Sequence, residues 1–163
     1  MSPQLRKFAL ATHLSFSVGW IGAVVAYLAL GIAAATSEDA QTIRGAWIAM
    51  ELTGWYVIVP LALASLLTGL VMALGTRWGL FRHYWVLLKL LITVFATIVL
   101  LIYMETFRDM AGVAADPRVD LSVVRNPSPA LHAVLALVML LVATVLAVYK
   151  PRGATPYGRR NPR

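Results

Sequence analysis

Four long runs of the chain contain no Asp, Glu, Lys or Arg. They cover residues 8–37, 52–76, 90–104 and 126–149, and the third extends back to Tyr84 if Lys89 is included. At about 1.5 Å per residue, about 20 helical residues cross a hydrocarbon core of about 30 Å. Helices pair their own backbone polar groups, whereas barrel strands would alternate apolar and polar residues. The pattern therefore predicts an all-α fold, a transmembrane four-helix bundle.

The first run also resembles a secretory signal peptide. Arg6 and Lys7 precede it, and Ala33 to Ala35 have the small side chains of a cleavage site. However, the apolar part of a signal peptide spans only about 7–15 residues, and this run is about twice as long. We therefore expect a retained helix.

Composition supports a membrane protein and excludes several other classes. Hydrophobic residues make up 60% of the chain and charged residues 13%, whereas soluble domains average about 45–50% and about 25%. Disordered, collagen-like and disulfide-rich classes do not fit this composition. The chain has no cysteine, which excludes thiolate metal sites, iron–sulfur clusters and redox dithiols.

Charge is distributed unevenly between the two sides that four spans would create. One side holds ten cations and no acid: Arg6, Lys7, Arg77, Arg82, Lys89, Lys150, Arg152, Arg159, Arg160 and Arg163. The other side holds four Arg and all seven acidic residues, so the sums of +10 and −3 give the net charge of +7. Because Lys and Arg stay cytoplasmic, both termini are predicted to be cytoplasmic, in a multi-pass protein of a bacterial plasma membrane. The basic side then faces anionic lipid headgroups, and nucleic acid is not needed to explain the charge.

The same pattern divides the chain into two parts. Residues 1–150 are predicted to form a single four-helix transmembrane domain, and residues 151–163 a basic, disordered cytoplasmic tail. Small residues recur in the first helix at 12, 15, 19, 22, 26, 29 and 33, all on one face. Such faces allow close helix packing in lipid. We expect this seam to pack inside the bundle, and a homodimer or a larger membrane complex is the alternative.

Ionisable residues inside a membrane are costly and are therefore candidates for function. His13 could ligate haem iron or copper, with Trp20 near it on the same helix. The alternative is a neutral histidine bonded to Ser17 or to a backbone carbonyl. His83 could be a second axial ligand, or could lie among the headgroups. Lys89 could pair with a haem propionate or an anionic substrate, or could extend to the headgroups.

A second candidate metal site lies on the opposite side of the predicted bundle. Glu51, Met104 and His132 fall at a similar level there, and histidine and thioether ligands suit copper. The alternative is structural: Glu51 is favoured by the helix dipole, and Met104 packs like any methionine. No phosphate-binding loop, metalloprotease motif or nucleophile–base pair is present, so no catalytic residue is predicted.

Short motifs give the chain a likeness to known membrane proteins. His13, Trp20 and Gly22 resemble the first-helix motif of CopD-like (copper resistance D) proteins, although Ala23 replaces a second glycine. Residues 67–70 (Leu-Thr-Gly-Leu) and 84–90 resemble two further segments of that superfamily, and residues 149–153 resemble a family of small four-helix bacterial membrane proteins. The resemblance implies copper handling or a b-type haem in the bundle, with His13 as ligand and Lys89 as the accompanying cation.

Three functions stay open on the sequence. The first is a haem- or copper-associated membrane protein for electron transfer or metal handling, acting through His13. The second is a structural or assembly subunit without a cofactor. The third is a small transporter, in which a kink at Pro60 frees a backbone carbonyl and Lys89 recruits an anion.

Overall fold

Four long helices make up nearly all of the computed structural model, which describes residues 1–76 and 78–161. Helix α1 runs from Pro3–Thr36, and α4 from Tyr84–Ala115. The second span consists of α2 (Ala40–Thr53), a π-helical turn (Gly54–Ile58) and α3 (Val59–Gly75). The remaining helices are α5 (Leu121–Val124), α6 (Ser128–Tyr149) and α7 (Pro156–Arg160). The all-α four-helix bundle is confirmed, and all four long helices are long and apolar enough to cross a membrane.

The spans pack in a ring in chain order. Helix α1 lies beside the second span and α6, and α4 lies beside the same two neighbours. Helices α1 and α4 therefore face each other across the axis of the bundle. Short connections between antiparallel neighbours produce this up-and-down arrangement.

Capping side chains and prolines mark where the helices begin. The Ser2 hydroxyl accepts a hydrogen bond from the Leu5 N–H at 3.3 Å, and Pro3 follows in the first turn. Asp39 caps α2 by accepting hydrogen bonds from the Thr42 N–H at 2.8 Å and the Thr42 hydroxyl at 2.7 Å. These contacts satisfy N–H groups that have no partner within the first turn of a helix.

Pro60 explains the π-helical turn in the second span. Proline has no N–H to donate, and its ring displaces the carbonyl four residues earlier. The turn widens just before it, so that the Val59 N–H bonds to the Gly54 carbonyl, five residues back. Gly54 is buried there, and a Cβ at this position would come within 2.7 Å of the Met104 methyl group. The predicted distortion at Pro60 is thus a wide turn that packs against α4.

The predicted inward seam of α1 is wrong. Its inner face holds His13, Trp20, Val24, Tyr27, Gly31 and Ala34. Four seam residues are exposed instead: Ser15, Gly22, Ala26 and Ala29. Since α1 meets α4 across the axis, large side chains are needed to fill the gap, and small ones would leave a void. The small residues of the second span and of α6 do point inward: Gly54, Ala62, Ser65, Ala133 and Ala143 are buried.

Two ends of the bundle differ in charge. The basic end comprises residues 1–7, the 78–83 loop and residues 150–161, and Met1 contacts Gly75 there. The acidic end comprises residues 37–39 and 105–127 and includes α5. Residues 1–7 and 150–161 thus both lie at the basic end, as four spans require.

The tail folds back onto the basic end as far as residue 161. The Thr155 N–H bonds to the Arg82 carbonyl at 2.9 Å, and the Tyr84 N–H bonds to the Gly153 carbonyl at 3.3 Å. The Thr155 hydroxyl donates to the Phe81 carbonyl at 2.5 Å and accepts from the Gly158 N–H at 3.0 Å. Where the sequence predicts disorder, residues 153–160 have a defined backbone and Thr155 is buried.

Candidate functional site

A polar cluster joins three helices about two turns inside the basic end. His13 lies six residues after Lys7 on α1, and Lys89 lies five residues after Tyr84 on α4. Thr68 on α3 lies seven residues before Gly75. At about 1.5 Å per residue, all three lie roughly 8–10 Å along their helices from those positions. We call His13, Thr68 and Lys89 the polar triad.

Both ring nitrogens of His13 have a partner. Nδ1 lies 3.0 Å from the Thr68 hydroxyl oxygen, and Nε2 lies 3.1 Å from the Lys89 amine nitrogen. The imidazole is 9% exposed. A Cβ at Gly69 would come within 3.1 Å of the ring carbon Cε1, so the absence of a side chain there lets the ring lie against α3.

The Thr68 hydroxyl determines which nitrogen of His13 carries a proton. It lies 2.6 Å from the Ala64 carbonyl oxygen, an acceptor only, and so donates its hydrogen there. Its oxygen must therefore accept from His13, which makes Nδ1 the protonated nitrogen. Nε2 is then free of hydrogen and accepts a hydrogen bond from Lys89. A hydrogen on Nε2 would oppose the hydrogens of an ammonium group at Lys89, so this geometry accommodates at most one positive charge between the two side chains.

Lys89 has no acidic partner in this part of the bundle. All seven acidic residues belong to the acidic end or to the helix turns beside it. Within residues 1–76 and 78–161 the one carboxylate salt bridge joins Arg108 and Glu105, at 3.3 Å. The amine of Lys89 is directed at the ring of His13 on the opposite helix, and the side chain is half-buried. This contact differs from the extension to the headgroups that was the alternative for Lys89.

Hydroxyl groups continue the polar surface toward the bundle centre. Ser17 bonds to Ser65 at 2.9 Å, joining α1 to α3. On α4, Thr93 donates to the Lys89 carbonyl and Thr97 donates to the Thr93 carbonyl. One alternative expected Ser17 to bond to His13, but Ser17 bonds to Ser65 instead. The two threonine hydroxyls donate their hydrogens to carbonyl groups of their own helix.

The other predicted ligands lie elsewhere. His83 precedes α4, where its Nδ1 donates to the Trp78 carbonyl at 2.9 Å and its ring meets the Trp78 ring edge-on. Trp20 belongs to the hydrophobic core, with 3% of its surface exposed. Four residues were predicted to bind a cofactor. The structure brings His13 and Lys89 into direct contact, whereas His83 lies in the loop at the basic end and Trp20 lies in the core.

The three residues of the second candidate metal site, Glu51, Met104 and His132, have different surroundings in the structure. Met104 is fully buried against Gly54, whereas Glu51 borders an open groove of about 330 Å³ together with Trp55 and Arg108. His132 stacks on Tyr103, with ring centroids 3.8 Å apart. No group of three or more His, Cys, Asp or Glu side chains that could hold a metal ion occurs among the residues that the structure describes.

The arrangement around His13 bears on the haem and copper hypothesis. An axial or copper ligand must offer a ring nitrogen with a free lone pair. Here Nδ1 carries the hydrogen donated to Thr68, and the lone pair of Nε2 accepts from Lys89. A ligand role for His13 would therefore require Lys89 to leave Nε2, and the haem and copper hypothesis stays a prediction.

Sequence reasoning predicted His13 and Lys89 as site residues, whereas Thr68 entered only as part of the 67–70 motif. The available signal was the spacing of Ser65, Thr68 and Gly69, two hydroxyls and a glycine on neighbouring turns of one apolar helix. No family model, curated protein or solved structure matches this chain. The CopD-like relationship therefore stays a prediction that rests on its short motifs.

Proposed function

We propose that this multi-pass membrane protein binds a small anion at Lys89 and His13 and carries it across the membrane from the basic end. The observation behind the proposal is an amine that contacts a neutral imidazole and has no carboxylate beside it. A charge in a medium of low dielectric constant is expensive unless a counter-ion compensates it. Histidine offers a lone pair but no negative charge, so the counter-ion has to come from outside the chain.

The chemistry of the two side chains suits this role. An ammonium group has three hydrogens, and the bond to Nε2 uses one of them. Two remain for an anion, while the ring holds the amine on the inner side of the bundle. Because the amine is the stronger base of the two, the shared proton resides on Lys89. The imidazole acts here as a positioning group.

The charges at the basic end support entry from that side. Arg6 and Lys7 lie in the first two turns of α1, Arg82 lies just before α4 and Lys150 just after α6, and no acid accompanies them. A surface of one sign attracts ions of the opposite sign and raises their local concentration. By the positive-inside rule this end is cytoplasmic, so the anion would enter from the cytoplasm.

Transport in proteoliposomes tests the proposal. Vesicles containing the purified protein are assayed for uptake of chloride, nitrate and acetate, and the change is Lys89→Met, which keeps the length of the side chain and removes its charge. We expect uptake of at least one anion by the unaltered protein and its loss in Lys89→Met. Lys7→Met is the matched control, since it removes one cation from the same end outside the polar triad.

Two outcomes would contradict the proposal. One is an absence of uptake of all three anions, and the other is uptake that Lys89→Met leaves unchanged. The competing hypotheses have their own readouts on the same preparation. A haem protein from haem-replete cells would show a Soret band, and a copper protein would contain stoichiometric metal. A structural subunit would transport nothing.

A further inference from the structure

The folded tail gathers arginines that are distant in sequence. A Cβ at Gly158 would overlap the carbonyl oxygen of Arg82, so the backbone of α7 lies directly on the 81–84 segment. Arg159 and Arg160 follow Gly158 at once, and Arg152 precedes the residues that bond to Tyr84 and Arg82. The backbone contacts thus bring four arginines to one segment of the basic end.

The contacts that hold the tail come from its backbone and from one hydroxyl group. Thr155 bonds to Phe81 and Arg82, and its hydroxyl also caps α7. None of these bonds uses a guanidinium group, so the arginine side chains are not needed to hold the tail in place. The chain also has no acidic residue at this end to compensate them. Like charges held together in this way repel one another, and a bound anion relieves that repulsion.

Exposed aromatic residues surround the same segment. Phe81, Tyr84 and Tyr157 are 57%, 55% and 57% exposed, and Tyr149, the last residue of α6, is 78% exposed. Aromatic rings of this kind belong at the level of the headgroups, where one part meets the acyl chains and another meets water. Their position indicates that the arginines lie at headgroup depth.

We propose that residues 151–160, folded onto the 81–84 segment, form a binding site for the phosphate groups of anionic phospholipids. The guanidinium group suits phosphate because its parallel N–H groups match two oxygen atoms. Arg82, Arg152, Arg159 and Arg160 supply the charge, and Thr155 acts as a positioning residue that holds the tail against the loop. The site is independent of the polar triad.

Native mass spectrometry of the full chain tests this site. The protein is released from mixed micelles that contain phosphatidylglycerol and phosphatidylcholine in equal amounts, and the bound lipids are counted. We expect preferential retention of phosphatidylglycerol, reduced about fivefold for each arginine removed in Arg159→Gln and Arg160→Gln, the size expected for one basic residue at an anionic surface. The double variant Arg6→Gln/Lys7→Gln is the control, since it lowers the charge of the same end on α1 and leaves the tail intact.

A second variant separates a folded site from a flexible basic tail. Thr155→Val keeps every charge and removes the hydroxyl that bonds to Phe81 and caps α7. We expect it to lose most of the preference for phosphatidylglycerol, with the helical content of the bundle unchanged by circular dichroism. Unchanged retention in Thr155→Val would overturn the proposal, as would equal retention of the two lipids. Displacement of the lipid by soluble glycerol phosphate at equal concentration would also overturn it, since the ligand would then be free phosphate.

Discussion

The two halves of the bundle treat buried polar groups in different ways. In the half toward the basic end, Lys89 contacts His13 and has no carboxylate beside it. In the half toward the acidic end, Arg44 donates to the carbonyls of Ala114, Asp116 and Val119 at 2.8, 2.5 and 2.8 Å. Neither cation has a carboxylate partner among the described residues, but Arg44 is bound by carbonyl groups at the end of α4 and in the loop after it, whereas Lys89 contacts an imidazole.

The surroundings of the two cations differ as well. Near the acidic end, the Tyr27 and Tyr103 rings pack edge-on against Phe107, with centroids 5.3 Å apart in each case. The Trp47 indole N–H donates to the Val124 carbonyl at 2.7 Å and ties the connection after α4 to α2. The comparison shows that the polar groups of the acidic half bond to backbone and ring partners that join its helices and loops, whereas Lys89 in the basic half contacts a neutral side chain.

Removing each cation in turn gives the largest expected contrast. Arg44→Met should lower the free energy of unfolding by about 3 kcal/mol, because three carbonyl groups lose a charged donor. Lys89→Met should change it by no more than about 1 kcal/mol, since the lost bond to Nε2 and the relief of burying a charge oppose each other. Thermal unfolding in one detergent measures both. Equal losses in the two variants would break the comparison.

Packing in the acidic half gives the next contrast. A Cβ at Gly31 would come within 2.9 Å of the Ala130 backbone nitrogen, an atom that cannot move aside without shifting α6. Gly31→Ala should therefore destabilise the bundle by about 2 kcal/mol. Gly22→Ala is the matched control on the same helix, because a Cβ there meets no atom within 4 Å. A Gly31→Ala protein as stable as Gly22→Ala would show that α1 and α6 do not approach so closely.

Two buried polar groups without a hydrogen-bond partner allow a further test. The Tyr27 hydroxyl and the Trp55 indole N–H are buried and have no hydrogen-bond partner among the described residues. Tyr27→Phe removes the unpaired hydroxyl and keeps the ring, so it should raise the free energy of unfolding by about 1 kcal/mol. A loss of stability in Tyr27→Phe would mean that this hydroxyl has a partner after all. Trp47→Phe, which breaks a formed bond, should act in the opposite direction in the same assay.

Two carboxyl groups at the acidic end give the smallest expected effect, on acidification. Bonds from the Thr42 hydroxyl and N–H lower the pKa of Asp39, and bonds from the Ser122 N–H and hydroxyl lower that of Asp120. A depressed folded-state pKa contributes stability above the unfolded value of 3.8, which is lost as pH falls further. The thermal midpoint should therefore decline below about pH 4. Asp39→Asn, which still caps α2, should reduce that decline, and an identical decline in this variant would exclude Asp39 as its source.

The hydrophobic pattern determined the four spans but not how their faces pair. Apolar runs predict helices wherever they occur, and the isolated charges within them drew attention to His13 and Lys89. The face of α1 that points into the bundle was not predictable, because small residues permit close contact between two helices without requiring it. The axis is filled instead by Trp20 and Tyr27, and Tyr27 meets Phe107 of α4 edge-on. Pairing across the axis is a property of several helices at once, and one helix alone does not reveal it.

The hydrogen-bond partners of the key side chains were beyond the sequence for a related reason. Thr68 holds His13 from a position 55 residues away, and Arg44 binds carbonyl oxygens at positions about 70 residues away. Every residue has a carbonyl group, so the sequence does not mark which ones become acceptors. The folded tail was missed likewise, since most of its bonds to the 81–84 segment and within α7 use backbone N–H groups.

The protonation of His13 is the most direct test of the central claim, that a neutral His13 accepts a hydrogen bond from the Lys89 ammonium group. Nitrogen NMR of protein labelled at histidine, with His13 assigned through His13→Asn, distinguishes the two ring nitrogens. At neutral pH we expect hydrogen on Nδ1 and none on Nε2, with an Nε2 resonance that shifts in Lys89→Met while Nδ1 stays protonated. A hydrogen on Nε2, or an imidazolium with hydrogen on both nitrogens, would contradict the account.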